Sequence, residues 1–446
     1  MNKASLIGHV IELHDAIRAS TYPADSIVRD FFKKRHYLGS KDRRFITEAI
    51  YSLLRNFKLL DLYVEESLKK PDATRRNQRF PSIALYGALV VKLNSEPASL
   101  VLPEISGLWR VYVPDVDCAA FLSALEQVRV PTTLQENAVH RIAITHSFPE
   151  SIVSEWIDRF GIEETERLCA SLNMPAPTTI RVNTLKVTVV ECKLALEREG
   201  IASRQTLLSP VGLVLEKRIN VQAVHAFKDG LFEMQDEGSQ LLSLLVDPAP
   251  GTIVMDACAG GGGKSLHLAA LMQNRGTLIS VDIEERRLAN LQQRVERAGV
   301  SIARISFAGR KDTGLEIWSG KVDSVLIDAP CTGVGTFRRN PGAKASFNED
   351  DVGKMVQVQK SVLETYSRFV RPGGRLVYAT CSLLRQENEG TVEWFLSRHP
   401  EFIPEPAATI LHNRGIKARQ AGDFLLLLPH ETSTDGFFAA VLRRGL

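Results

Sequence analysis

Two thiols and a run of glycines are the residues of this chain best suited to chemistry, and each ends a β-like apolar run. Thr252-Ile-Val-Met255 leads into Asp256-Ala-Cys-Ala-Gly-Gly-Gly-Gly-Lys-Ser265, Val325-Leu-Ile327 into Asp328-Ala-Pro-Cys331, and Arg375-Leu-Val-Tyr378 into Ala379-Thr-Cys-Ser382. Glycines let a backbone approach a ligand closely, and the helical stretch Leu266–Leu271 opens with free N–H groups and a positive dipole end. A lone cysteine on an apolar element is usually a small core residue, which is how Cys118, Cys169 and Cys192 read. Cys331 and Cys381 lie instead at strand ends, where ligands of an open α/β sheet bind. Methylation of a pyrimidine at C5 needs such a thiol. A thiolate adding to C6 makes the ring an enamine with a nucleophilic C5, and a second thiol can assist the later elimination. The residues by themselves do not rank which thiol attacks.

The glycine loop differs from its look-alikes. A phosphate-binding P-loop needs a glycine five residues before Gly263-Lys-Ser265, and Cys258 stands there. A nicotinamide fingerprint finds its Gly-x-Gly in Gly260–Gly263, but Ser265 and Leu266 fit the remainder poorly. Asp-x-x-x-Gly-x-Gly, with Asp282 closing the next strand in Ile279-Ser-Val-Asp-Ile283, does fit: the aspartate is placed for two ribose hydroxyls. That is the arrangement of S-adenosyl-L-methionine-dependent methyltransferases, with a tight turn and a solvated aspartate as the bland alternative. Asp328 is expected to face the amino edge of a cytosine or the cofactor.

The elements that must position these groups form an α/β pattern. Runs Ile253–Met255, Thr277–Val281, Val325–Ile327 and Arg375–Ala379 alternate with helical stretches Leu266–Met272, Glu285–Ala298 and Gly353–Phe369, as in a doubly wound, Rossmann-like parallel sheet. Phe424–Leu428 and Phe437–Leu442, with no helix expected between them, read as a terminal antiparallel hairpin. Upstream, helices at Ser151–Phe160 and Val189–Glu199 and strands at Thr179–Asn183 and Gly212–Leu215 suggest a small α+β subdomain. Arg181 and Asn183 share a face of one strand, as contacts for a nucleic-acid backbone or as a solvated face. The first 145 residues have helical spacing, with Ile7, Val10, Ile11, His14 and Ile17 on one face and Phe45, Ile46, Ala49, Ile50, Leu53 and Leu54 on another. Two basic stretches with aromatics, Arg29–Phe45 and Arg75–Phe80, suggest RNA contact over a solvated helical face. Domains are expected at 1–145, 146–247 and 248–446, with His146-Ser-Phe-Pro149 as a linker.

Composition narrows the class. A chain of 446 residues exceeds one ordinary core, and 44% hydrophobic with 24% charged residues suits a soluble globular protein. A net charge of +3 permits a nucleic-acid partner without requiring one. Six scattered cysteines without a CxxC pair argue against a disulfide framework or zinc site and for a reducing cytoplasm. No signal peptide opens the sequence, and the longest apolar run, Ile83–Leu93, is short and carries Lys92, so no membrane association is expected. No metal is expected, and the chain is expected to act as a monomer.

Longer motifs carry a family resemblance. Asp328-Ala-Pro-Cys-Thr-Gly-Val-Gly-Thr-Phe-Arg-Arg-Asn-Pro341, Tyr378-Ala-Thr-Cys-Ser-Leu-Leu-Arg-Gln-Glu-Asn-Glu389 and Thr434-Asp-Gly-Phe-Phe-Ala439 make residues 146–446 resemble the Nop/Sun family of RNA cytosine-5 methyltransferases. Tyr37-Leu-Gly-Ser-Lys-Asp-Arg-Arg-Phe45, followed by a helix ending Leu54-Arg-Asn56, looks like the RNA-binding NusB fold. Together they resemble the bacterial RsmB/Sun type, which modifies small-subunit ribosomal RNA. The resemblance implies a Rossmann-like methyltransferase domain behind an all-helical NusB-like domain and a small α+β middle subdomain. It implies S-adenosyl-L-methionine bound by Cys258, Ala259, Gly260, Gly261, Gly262, Gly263, Lys264, Asp282 and Asp328, with RNA as partner. It makes Cys381 the nucleophile and Cys331 the residue that releases product, and it brings Arg338 and Arg339 near the RNA. The chain departs from the family in two places. Gly260 and Gly261 replace Ala-Pro in a loop usually reading Cys-Ala-Ala-Pro-Gly-Gly-Lys-Thr (Ser265 here replacing Thr). Ala308 stands where an aspartate usually reaches the adenine, with Asp312 as a possible substitute. Lower cofactor affinity in an active enzyme is the expected result. Other readings are an assembly factor with a decayed site, a transfer-RNA methyltransferase and, least favoured, a Rossmann oxidoreductase.

Overall fold

The computed structural model describes residues 1–68, 80–309 and 314–446, in two units: Met1–Met174 with Phe337–Phe347, and Pro175–Thr336 with Asn348–Leu446. The first unit is helical. Ile7, Val10, Ile11 and His14 of helix Lys3–Arg18 and Ile46, Ile50, Leu53 and Leu54 of helix Ser40–Arg55 are buried in a common core, as their spacing of three and four residues requires. The expected linker at His146 is instead packed. Ser147 is buried and its Oγ accepts the N–H groups of Lys58 and Leu59, capping helix Phe57–Leu68, while the Phe148 ring sits between Trp156 and Phe337.

Segment Phe337–Phe347 is anchored in this unit by the buried amino group of Lys344, whose pKa burial pushes well below the ordinary lysine value. Lys344 Nζ donates to the carbonyls of Arg55 (2.6 Å) and His146 (2.9 Å) and to Asn173 Oδ1 (2.6 Å), and lies 4.5 Å from the Phe148 ring centroid. Replacing Lys344 with Met leaves three acceptors dry. We expect the opening free energy of helix Phe57–Leu68, read by amide exchange in the full chain, to fall by about 3 kcal/mol. Arg338, expected near RNA, is buried here, and its carbonyl accepts from Arg55 Nη2 at 3.1 Å.

The second unit holds two sheets. The smaller is antiparallel, formed by β1 (Thr178–Val182), β2 (Ser203–Gln205), β3 (Gly212–Leu215) and β4 (Phe232–Met234) in the order β2-β3-β1-β4. Helix Val189–Arg198 packs Cys192 and Leu196 against Ile180, Val182 and Phe232. Arg181 and Asn183 correct both sequence expectations, since neither is solvated. Arg181 is 1% exposed, and Asn183 Nδ2 donates to the carbonyls of Gly230 and Ala298.

The larger sheet contains β5 (Ile253–Asp256), β6 (Thr277–Asp282), β7 (Ala303–Phe307), β8 (Val322–Asp328), β9 (Val370–Thr380), β10 (Phe402–Glu405), β11 (Gln420–Ala421), β12 (Phe424–Leu427) and β13 (Phe437–Arg444). Its order is β11-β12-β13-β9-β8-β5-β6-β7, with β10 paired to β13; β7 to β9 are parallel, and β13 joins β9 antiparallel. Period-two alternation sorts its side chains. Val254, Leu326, Val377, Ala439 and Val441 enter one core, and Met255, Val325, Ile327, Leu376, Tyr378, Phe438 and Leu442 the other. Strands β12 and β13 pair as the expected hairpin, although a short helix, Pro429–Thr432, joins them. The order reverses between β5 and β8, which opens the crevice where such sheets bind ligands. No helix among the described residues is long and apolar enough to cross a membrane.

Candidate active site

Strands β8 and β9 end level, with Asp328 opposite Ala379, and the Ala329 N–H donates to the Ala379 carbonyl at 2.8 Å. The loops leaving them bring Cys331 Sγ to 3.3 Å from Cys381 Sγ. The stretch before β13 closes the assembly: Gly335 N–H donates to the Cys381 carbonyl (2.9 Å) and Gly436 N–H to the Gly335 carbonyl (2.8 Å). A Cβ on Gly335 would lie 2.3 Å from the Gly436 oxygen, so this crossing admits only glycine. The hydrogen bond with Cys381, then burial, holds the Cys331 thiol well above its ordinary pKa, with Glu387 adding repulsion.

Glu387 was not singled out by the sequence reading. It is fully buried. Oε1 accepts from the Thr332 N–H (2.8 Å) and Gln359 Nε2 (3.0 Å), and Oε2 from the hydroxyls of Thr332 and Ser382. Thr332 and Ser382 each follow a cysteine, so one carboxylate staples both loops. Its only sequence signal was an acidic residue inside a long polar motif.

The glycine loop meets the same crevice from β5. Gly260 N–H donates to Asp282 Oδ2 (2.7 Å), and the Glu284 N–H donates to Asp282 Oδ1 (2.8 Å). Ala259 N–H donates to the Val281 carbonyl (2.9 Å), so loop and strand β6 are joined. Gly260 has a φ of +54° with open space where a side chain would stand; at Gly262, with φ +84°, a Cβ would lie 2.1 Å from Leu291 Cδ1. Lys264 Nζ pairs with Asp328 Oδ2 at 2.5 Å, linking the loop to the strand that leads to Cys331. Burial opposes the Lys264 charge, but Asp328 outweighs it and the ammonium is held above its ordinary pKa. The Cys258 thiol is pushed up by burial and then by Asp328, Asp256 and Asp282. Arg294 and Arg181 hold the carbonyls of Gly261 and Gly263.

These residues fit an adenosyl cofactor. Each Asp282 oxygen has a lone pair beyond its one backbone donor, enough for two ribose hydroxyls, and Gly260 leaves room beside it. Ala308, whose N–H donates to the Asp282 carbonyl, brings only a methyl group to this place, and Asp312 lies outside the described residues.

Beneath the loop, Asp256 is buried. Its Oδ2 accepts from Ser265 Oγ at 2.7 Å, and Oδ1 has no partner among the described residues. Burial, opposed by Ser265 and Lys264, pushes this carboxyl up to about 6. The folded state therefore holds the proton more tightly than the unfolded one, and stability is lost as pH rises from the unfolded value through the folded one. The stability of the wild type relative to Asp256→Asn should fall by up to about 3 kcal/mol between about pH 4 and about pH 7, measured by denaturant titration.

Of the two basic stretches in the first unit, Arg29, Lys33, Lys34, His36, Tyr37 and Lys41 are exposed. Arg35 is taken up by Glu12 and by the Phe31 ring at 3.8 Å, and Arg43 by the carbonyls of Leu38 and Arg35. In the second stretch, residues 75–79 lie outside the described residues.

Residues 243–443 match the family described as 16S rRNA methyltransferase RsmB/F, and residues 148–222 match its ferredoxin-like domain. The chain is 30% identical over 407 residues to ribosomal RNA small subunit methyltransferase B of Vibrio cholerae, covering 91% of this chain and 90% of that protein. It is 29% identical over 430 residues to the probable small subunit methyltransferase B of Bacillus subtilis, covering 92% of each. A solved methyltransferase homolog from Pyrococcus horikoshii is similar at a TM-score of 0.60 and 27% identity, over 71% of this chain and 100% of that one. The chain belongs to the RsmB/F (Sun) family of 16S rRNA methyltransferases.

Proposed function

We propose that this protein methylates C5 of a cytidine in small-subunit ribosomal RNA through a covalent adduct between Cys381 and C6 of the base. The sulfur pair carries this reading, because two thiols 3.3 Å apart beyond the adjacent ends of β8 and β9 serve an addition and an elimination at one ring. The geometry of the pair does not rank the thiols; the motif resemblance assigns the attack to Cys381 and the release to Cys331. Addition of the Cys381 sulfur to C6 places the electron pair on C5. Bound S-adenosyl-L-methionine supplies the electrophilic sulfonium methyl. Loss of the C5 proton, assisted by Cys331, then lets the C–S bond break and returns Cys381 as thiolate.

Residues Cys258 to Lys264 would hold the cofactor, with Asp282 on the ribose and Asp328 kept in place by Lys264. The target base must leave its stack to reach Cys381. Residues 1–145 and 146–247 are assigned to RNA binding, supported in the first by the exposed cations from Arg29 to Lys41, and residues 248–446 to catalysis. Six free thiols suit a cytoplasmic protein, and we assign the activity to a single chain.

The test uses isotope-labelled S-adenosyl-L-methionine and small-subunit RNA, naked and in particles, from cells lacking this protein, with digestion and mass spectrometry of the nucleosides. Label in 5-methylcytidine is expected. Label in another nucleoside overturns the C5 assignment, and no label on either substrate favours an RNA-binding factor.

A further inference from the structure

Two guanidinium groups grip the glycine loop from outside. Arg181 Nη1, from the centre of the small sheet, donates to the Gly263 carbonyl at 2.5 Å and to Gln235 Oε1 at 2.6 Å. Arg294 Nη1, from helix Glu285–Ala298, donates to the Gly261 carbonyl at 2.5 Å. Both cations are themselves held. Glu233, opposite Arg181 in the β1–β4 register and 3% exposed at its side chain, accepts from Arg294 Nη2 at 2.9 Å and Nε at 3.2 Å. Its other oxygen accepts from Arg297, whose guanidinium lies 3.9 Å from the Phe227 ring centroid.

The loop is where such a grip matters most. Four successive glycines leave the free chain many backbone states, two of them adopt positive φ in the folded loop, and the stiffer Ala-Pro of the resembled family is absent. A site that is competent for only a fraction of the time binds with affinity reduced by that fraction. Charge-assisted bonds from fixed cations to Gly261 and Gly263 raise it.

We propose that Arg181 and Arg294 are positioning residues that keep the Gly260–Gly263 loop in its ligand-ready conformation, so that strand β1 of the small sheet sets cofactor affinity. The inference rests on the reading that this loop holds S-adenosyl-L-methionine. It gives Arg181 a role in place of the nucleic-acid contact its strand position suggested.

The test compares full-length Arg181→Met, Arg294→Gln and Asp282→Ala with wild type. Binding of S-adenosyl-L-methionine is measured by calorimetry, and amide exchange of residues 257–266 is measured without cofactor. Each arginine variant should weaken binding about tenfold or more and speed exchange in the loop, with exchange in β5 and β6 and the KM for RNA unchanged. Arg181→Lys should recover part of the affinity. Binding within about twofold of wild type in both arginine variants, while Asp282→Ala weakens it, overturns the grip and leaves the loop reading standing; a lowered Tm without weaker binding does the same. Unchanged binding in all three variants overturns the loop reading and the inference with it. Should Arg181→Met fail to fold, Arg294→Gln, half-buried on its helix, decides the outcome.

Discussion

Cys381→Ala should lower methyl transfer by about 10⁴-fold or more, whereas Cys331→Ala should leave the protein covalently attached to its RNA. Without the Cys381 sulfur, C5 of cytosine stays non-nucleophilic, and no neighbouring group compensates from a distance. Without Cys331, addition and methyl transfer proceed, but proton loss and C–S cleavage lose the thiol that sits 3.3 Å from the attacking sulfur. The measurements are label transfer to RNA and a protein–RNA band that survives denaturing electrophoresis. An adduct in Cys381→Ala, with transfer lost in Cys331→Ala, would exchange the two roles. A band in neither variant, with transfer retained in both, would sink the covalent mechanism.

Glu387→Gln should lower kcat by about 100-fold while leaving the KM for S-adenosyl-L-methionine near its wild-type value. The amide turns two N–H donors toward groups that are themselves donors. The Thr332 N–H with Gln359 on one side, or the two hydroxyls on the other, then lose their acceptor. Thr332 and Ser382 carry the cysteine loops, and displacing a reacting atom by about 1 Å costs on the order of 10²-fold. The glycine loop is held by Asp282, Arg181 and Arg294 rather than by Glu387, so cofactor binding should be spared. A carboxylate serving stability alone would lower Tm and leave kcat intact. That result would remove Glu387 from the catalytic account.

Much of the large sheet, with the loops at its strand ends, was legible because it is written in local chemistry. Alternation of apolar residues marks β5, β8, β9 and β13 as strands with two buried faces, and the glycines after β5 announce a close approach of backbone to ligand. Helical spacing likewise marked the faces of Lys3–Arg18 and Ser40–Arg55 that form the core of the first unit. Motif resemblance supplied the family, which the comparisons bear out. Polar residues were legible only as far as the face they occupy. Arg181 alternates on β1 like a surface residue, yet the face it shares lies against the glycine loop, and period two says nothing about what covers a face. His146–Pro149 has the composition of a linker, but Ser147 and Phe148 are claimed by a helix start and two aromatic rings. Sequence by itself determined that three strand ends carry a glycine cradle and two thiols, because strand periodicity and loop chemistry act over a few neighbouring residues. Only tertiary structure decided that the thiols meet at 3.3 Å, that Glu387 staples their loops and that two arginines grip the cradle. Those distances are set by the pairing of strands far apart in the chain, and side-chain periodicity does not encode which strands become neighbours.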